Sequence, residues 1–307
     1  MQKRGKASLV KKILKTIFAV ILVIFILSIL FAMINITLPN SVAIIPIKGT
    51  IVSGDSGSFF EVTTSADAVI EKIEKAEENP NIKAILFEIN SGGGYPVASE
   101  EIAQKIKSVK KPTLALIREV GASGAYWIAS ASDTIMANRM SVTGSIGVYA
   151  SYLEFSGLLN EHNVSYQRII AGKYKDLGSP YKDMTLEEEE LFQAQVNKIH
   201  EYFVSEIASN RNMTFDETMA ISTGMFYLGE EALELGLIDH IGNKEDALNF
   251  LKQSLNLNYI NEAEYKEKRG ISSIFTSVFS KQSYAIGKGI GSALTDNRKN
   301  TLQISLN

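Results

Sequence analysis

The sequence predicts an α/β protein, a parallel sheet with helices on both faces, preceded by one N-terminal transmembrane helix. Three observations carry this reading. A charge-free apolar run of 19 residues lies at 16–34, short apolar strands alternate with amphipathic helices from Val42 to Ile170, and two helix-start signatures open a mainly helical stretch over 185–250. Strands that read as continuous apolar runs need cover on both faces, and the helices of a parallel α/β sheet supply it.

The first run, TIFAVILVIFILSILFAMI, holds no helix breaker, and at 1.5 Å per residue it reaches roughly the thickness of the hydrocarbon core. A buried core helix rarely lacks a polar stripe over such a length. A cleaved signal sequence has a shorter apolar region followed by a small-residue cleavage site. Six basic residues (Lys3, Arg4, Lys6, Lys11, Lys12, Lys15) precede the run, and no charge follows until Lys48. The positive-inside rule therefore puts the N-terminus in the cytoplasm and the rest of the chain on the far side. The expected divisions are a basic cytoplasmic segment (1–15), an anchor with the start of a linker (16–38), an outer domain (39–255) and a polar, weakly periodic tail (256–307).

In the outer domain, VAIIPIKGTIV reads as a buried strand, and Ser65 caps a helix that turns Ala66, Val69, Ile70 and Ile73 inward. Strand 82–89, the turn SGGG, an amphipathic helix over 97–109 and strand 113–117 follow. Next come a small-residue segment at 121–132, strand 134–137, VTGSIGV, a helix near 153–160 and strand 164–170. Thr185 and Glu188 then form a capping box that opens a helix of about 25 residues, with Phe192, Val196, Ile199, Phe203 and Ile207 on one stripe. Thr214 and Glu217 form a second box, and no internal repeat is evident.

Composition bounds the chemistry. At 307 residues, 45% hydrophobic and 21% charged, the chain can bury a large core, which excludes extended disorder and collagen-like architecture. No cysteine is present, so disulfides, thiolate nucleophiles and zinc sites built on sulfur are excluded. The overall charge is −3, and the part outside the basic N-terminus is more acidic still, which disfavours nucleic acid as a partner. The three histidines, His162, His200 and His240, lie in no metal-binding spacing, so no metal and no cofactor is expected.

Two turns can carry chemistry. Asn90-Ser91-Gly92-Gly93-Gly94 stands between a strand and a helix, where backbone N–H groups can hold a phosphate or a developing oxyanion. The phosphate reading lacks the lysine and the glycine spacing it requires, and a plain flexible turn remains an alternative. In Gly121-Ala122-Ser123-Gly124-Ala125 a serine lies at a strand-to-helix turn beside the Gly124 N–H, as a nucleophile and its oxyanion donor require. Tight packing of small residues explains the same pattern equally well. With histidine scarce, lysine is the next candidate base; a lysine acts so only when neutral, which takes desolvation. Lys173 and Lys175 in AGKYKDLGSP both follow an apolar segment, and either could serve, or neither, if this is only a charged loop.

Taken together, NSGGG (90–94), ASGAYWIAS (122–130), TGSIGV (143–148), GKYKDLGSPY (172–181) and YLGEEALELGLID (227–239) resemble, in this order, the signal peptide peptidase A family. These are membrane-anchored serine peptidases related in fold to the Clp protease/crotonase superfamily, and the likeness covers roughly residues 42–250. The resemblance implies a Ser-Lys dyad of Ser123 and Lys175, oxyanion donors at the N–H groups of Gly93 and Gly124, and a supporting hydroxyl at Ser145 that orients the lysine amine. It implies cleaved signal peptides and other unstructured apolar peptides as substrates, homo-oligomers, and a catalytic domain outside a bacterial inner membrane. Two positions depart from the family pattern: Gly92 stands where the family has proline, and Ala125 where it has glycine. A crotonase-type acyl-CoA enzyme, which needs no Ser-Lys pair, and a catalytically silent membrane scaffold are the competing classes.

Overall fold

The computed structural model describes residues 2–33, 37–54 and 62–265. It opens with helix α1 (Gln2–Met33). Among the described residues no helix is long and apolar enough to cross a membrane. Within the expected span the described side chains end at Ser28, so the described apolar run from Thr16 measures about 20 Å. The rest of that span lies outside the residues whose side chains are described.

Strand β1 (Ser41–Lys48) and strand β2 (Thr50–Val52) are separated by Gly49. The sequence reads as one strand here, but the chain turns at Gly49, where φ is 71°. A Cβ at that position would lie 1.8 Å from the Val62 carbonyl oxygen, so only glycine fits. Strand β3 (Thr63–Ser65) pairs with β2 in a small sheet of its own. Ser65 then caps helix α2 (Ala66–Glu78), its hydroxyl accepting from the Ala68 N–H at 3.4 Å.

The main alternation follows as expected: β4 (Ile82–Ser91), α3 (Pro96–Ser108), β5 (Thr113–Ala122), α4 (Gly124–Ser130), β6 (Thr134–Ala137) and β7 (Val142–Gly144). Beyond it come α5 (Ser156–Glu161), α6 (Leu186–Arg211), α7 (Phe215–Ile221), β8 (Phe226–Leu228), α8 (Gly229–Glu234), β9 (His240–Ile241), α9 (Lys244–Ser254) and β10 (Asn261–Glu264). The capping boxes at Thr185 and Thr214 form in full. The strand expected over 164–170 does not form; these residues are irregular and exposed. A strand needs a neighbour for its N–H and C=O groups, and no described strand pairs with this segment.

The main sheet runs β10-β1-β4-β5-β6-β9, with β7 joined to β5 and β8. Every pair in it is parallel except β7–β8. Side chains alternate between the faces. Ile45, Ile47, Phe87 and Ile89 join one core under α2, α3 and α4, whereas Val42, Ile44, Ala84 and Leu86 join another beneath Ala247 and Leu251 of α9. Burial of each large member contributes roughly 1.5–3 kcal/mol. β10 lies beside β1, Ser41 opposite Asn261, so the sheet includes residues up to Glu264. The compact unit ends at Tyr265.

Strand β5 has two partners along one edge. Its first half, Leu114–Ile117, pairs with β6, and its second, Val120–Ala122, pairs with β7. The end of β5 is thereby carried past β6 and held where α4 begins.

Candidate active site

Ser123 is the single residue between β5 and α4. Its φ of 54° and ψ of −127° lie in a region that residues with a side chain rarely occupy, and such strain persists only where the surroundings enforce it. Here the Ser123 N–H donates to the Gly144 carbonyl of β7 at 2.8 Å, while the Ser123 carbonyl accepts from the Trp127 N–H at 3.0 Å. All seven residues of α4 are buried, which fixes the helix start. Ala125 is fully buried in the core, so the methyl group that departs from the family pattern is absorbed by packing.

The glycine turn lies against this peptide. A Cβ on Gly93 would sit 2.9 Å from both the Gly124 nitrogen and the Ser123 Cβ, and one on Gly124 would sit 2.3 Å from the Ser99 Oγ. Glycine at both positions lets the two backbones approach. The turn itself is pinned: the buried Ser91 hydroxyl donates to the Gly49 carbonyl at 2.6 Å and accepts from the Gly93 N–H at 3.0 Å. The Gly93 carbonyl accepts from the Ile51 N–H at 3.0 Å, and the Tyr95 N–H donates to the Ile51 carbonyl at 2.9 Å. Thus the Gly93 N–H is already engaged. Among the described residues the N–H groups of Gly94 and Gly124 have no acceptor, and the Gly94 nitrogen is 3.4 Å from the Cβ position of Gly124.

A pocket of about 100 Å³ opens beside Ser123, walled by Pro96, Trp127, Val148, Tyr149, Ile199 and Phe203. Trp127 stacks on Phe203 with ring centroids 4.8 Å apart. The walls from α6 were not identifiable as a site in the sequence, because the stripe holding Ile199 and Phe203 reads equally as core.

Ser145 directly follows Gly144, whose carbonyl receives the Ser123 N–H. The Ser145 hydroxyl donates to the Gly224 carbonyl at 3.0 Å, and its N–H to the Met225 carbonyl at 2.9 Å. Lys175 is exposed, lies outside the pocket walls, and has no side-chain hydrogen bond or ion pair among the described residues. Lys173 is ion-paired with Glu187 at 2.7 Å, and that hydrogen bond raises its pKa above the usual lysine value. No histidine lines the pocket. Among the described residues no group of three or more metal-ligating side chains could hold an ion.

A strained serine at a strand-to-helix turn, with two unspent N–H groups and an apolar pocket beside it, is an arrangement that can support attack on a carbonyl carbon. The sequence pattern of peptidase family S49 matches residues 105–258, and the chain belongs to that family: it is a serine peptidase. A protein of Methanocaldococcus jannaschii that bears a protease name is 36% identical over 78% of this chain and 76% of its own length. An Enterococcus faecium protein named after signal peptide peptidase SppA is 35% identical over 70% of this chain, which spans 63% of that relative. Among solved structures, a ClpP1 mutant of Listeria monocytogenes aligns with a TM-score of 0.46 at 16% identity, over 66% of this chain and 92% of that one.

Proposed function

We propose that this chain is a membrane-anchored endopeptidase with a Clp protease/crotonase-like catalytic domain that cleaves unstructured apolar peptides, remnant signal peptides among them, through Ser123 and Lys175. The Ser123 Oγ attacks the scissile carbonyl carbon while the neutral Lys175 amine takes the hydroxyl proton. The oxyanion is held by the Gly124 N–H and by the glycine turn. Within that turn we assign the donor to Gly94 rather than Gly93, whose N–H is spent on Ser91. Collapse breaks the C–N bond, the Lys175 ammonium returns its proton to the leaving amine, and water then releases the acyl group from Ser123 by the same steps.

The observation that carries this reading is the Ser123 elbow with its paired free N–H groups at the mouth of an apolar pocket. The apolar walls support an apolar side chain at the cleaved residue, and the uncharged run 16–34 supports an anchor that keeps the domain on the outer face of a bacterial inner membrane. Lys175 stands exposed on a segment where Tyr149, Leu153 and Ile169 are 88%, 73% and 100% exposed. Such a surface supports assembly of several copies, with each Ser123 receiving its Lys175 in the assembled particle. Full-length protein in detergent, given an apolar fluorogenic peptide, should lose cleavage in both Ser123→Ala and Lys175→Ala. Cleavage that survives Lys175→Ala would assign the base to another residue.

A further inference from the structure

The turn that carries Lys175 belongs to no helix or strand, so its shape depends on its side chains. It runs from the Lys175 N–H, which donates to the Gly172 carbonyl at 3.1 Å, to the Ser179 N–H, which donates to the Asp176 carbonyl at 3.0 Å. Two clamps bracket Lys175, and both end on consecutive glutamates in the first turn of α6. Lys173 and Tyr174 reach Glu187, but that pair is 65% and 55% exposed, where water and salt screen it to little effect. On the other side the Asp176 Oδ1 accepts from the Arg168 Nη2 at 2.8 Å and lies 3.9 Å from the Lys182 Nζ. Lys182 in turn donates to the Glu188 Oε1 at 2.6 Å. The side chains of Asp176, Lys182 and Glu188 are only 11%, 17% and 7% exposed.

We propose that Asp176 is a positioning residue for Lys175, fixing the base-bearing turn and balancing the charge beside it through the network of Arg168, Lys182 and Glu188. The proposal rests on the Ser123–Lys175 reading. Two cations face two carboxylates in this network, so the carboxylate beside Lys175 does not stand alone. A lone carboxylate one residue away would instead favour the charged amine. A base on a loop must also be held to within about half an ångström by its supporting contacts, and the buried clamp is the one that resists screening. The Asp176 Oδ2 is buried without a partner among the described residues. In the Arg211–Asp239 pair, by contrast, both carboxylate oxygens are bonded.

The test is the pH profile of kcat/KM for the full chain in detergent with an apolar peptide, whose acid limb reports the free enzyme's base. Asp176→Asn removes a negative charge and should move the acid limb to lower pH by about half a unit, with kcat down roughly tenfold from loss of position and KM little changed. Lys182→Gln removes a positive charge and should move the limb to higher pH. Asp176→Glu, which restores the charge, should return the limb towards its original place. Limbs that stay put, or that move in the same direction in the two charge-removing variants, overturn the proposal. Activity surviving in Lys175→Ala overturns the dyad reading as well. An inactive Lys175→Ala with unmoved limbs overturns the positioning role alone.

Discussion

At Ser123 the chain adopts a backbone conformation that suits glycine, yet a serine is there, at the junction of β5 and α4. The strain is borne by the bond to Gly144, by the buried α4 and by the glycine turn packed on its Cβ. Its relief is measurable. Ser123→Gly should abolish cleavage while stabilising the fold by about 1 kcal/mol, the strain released less the added freedom of the unfolded chain. Denaturant unfolding of the variant beside Ser123→Ala would show it, and a Ser123→Gly protein less stable than Ser123→Ala would mean that the position is unstrained. Ser91 explains a second residue-scale result. By taking the Gly93 N–H for itself, it leaves the neighbouring Gly94 as the free donor, a distinction that three consecutive glycines in a sequence do not reveal.

Helix α6 links two parts of the site. Phe203, in its second half, forms one wall of the pocket, and Glu188, in its first turn, holds Lys182. The Glu188 carboxyl is held down to about 2, first by the hydrogen bond from Lys182 and then by the Thr185 N–H of its own capping box. Because its folded pKa lies below its ordinary value, the stabilisation it supplies is complete above about pH 4.5 and is lost as pH falls towards 2. Hydrogen exchange of the first turn of α6 should therefore accelerate across that window, and Glu188→Gln should show the fast exchange already at neutral pH. Exchange that is flat with pH in the parent chain would remove Glu188 from this role. The same helix shows what a sequence reveals. Thr185 and Glu188 announce its start because a cap is a local arrangement, and Ser65 does the same for α2. The stripe of Ile199 and Phe203 announces an apolar face without saying that a pocket lies against it. Segment 164–170 has the apolar character of a strand, but pairing is not local, and no described strand lies beside it. The strand-to-helix junctions at Ser123 and at the glycine turn were legible because adjacent residues announce each of them. The placement of Lys175 was not, since its turn is irregular and is held by side-chain pairs with Arg168, Glu187 and Glu188 that no repeating pattern announces.

For the whole molecule the exposed segment around Lys175 matters most. A chain that leaves Tyr149, Leu153 and Ile169 uncovered has a surface suited to other copies of itself. If Ser123 and Lys175 meet between copies, neither single variant is active, yet assembling Ser123→Ala with Lys175→Ala in equal amounts should restore about a quarter of the sites. The measurement is peptide cleavage after the two inactive proteins are dissociated and assembled together. No recovery in the mixed particles would mean that each chain supplies its own pair.

One small contact reaches further than its size. Ile51 is stitched to the glycine turn through the Gly93 carbonyl and the Tyr95 amide, and Gly49 alone separates its short strand from β1. A displacement of β1 would therefore pass, through the Gly49 corner, to the backbone that carries the unpaired Gly94 amide, so that the small sheet of β2 and β3 serves as a brace for that turn.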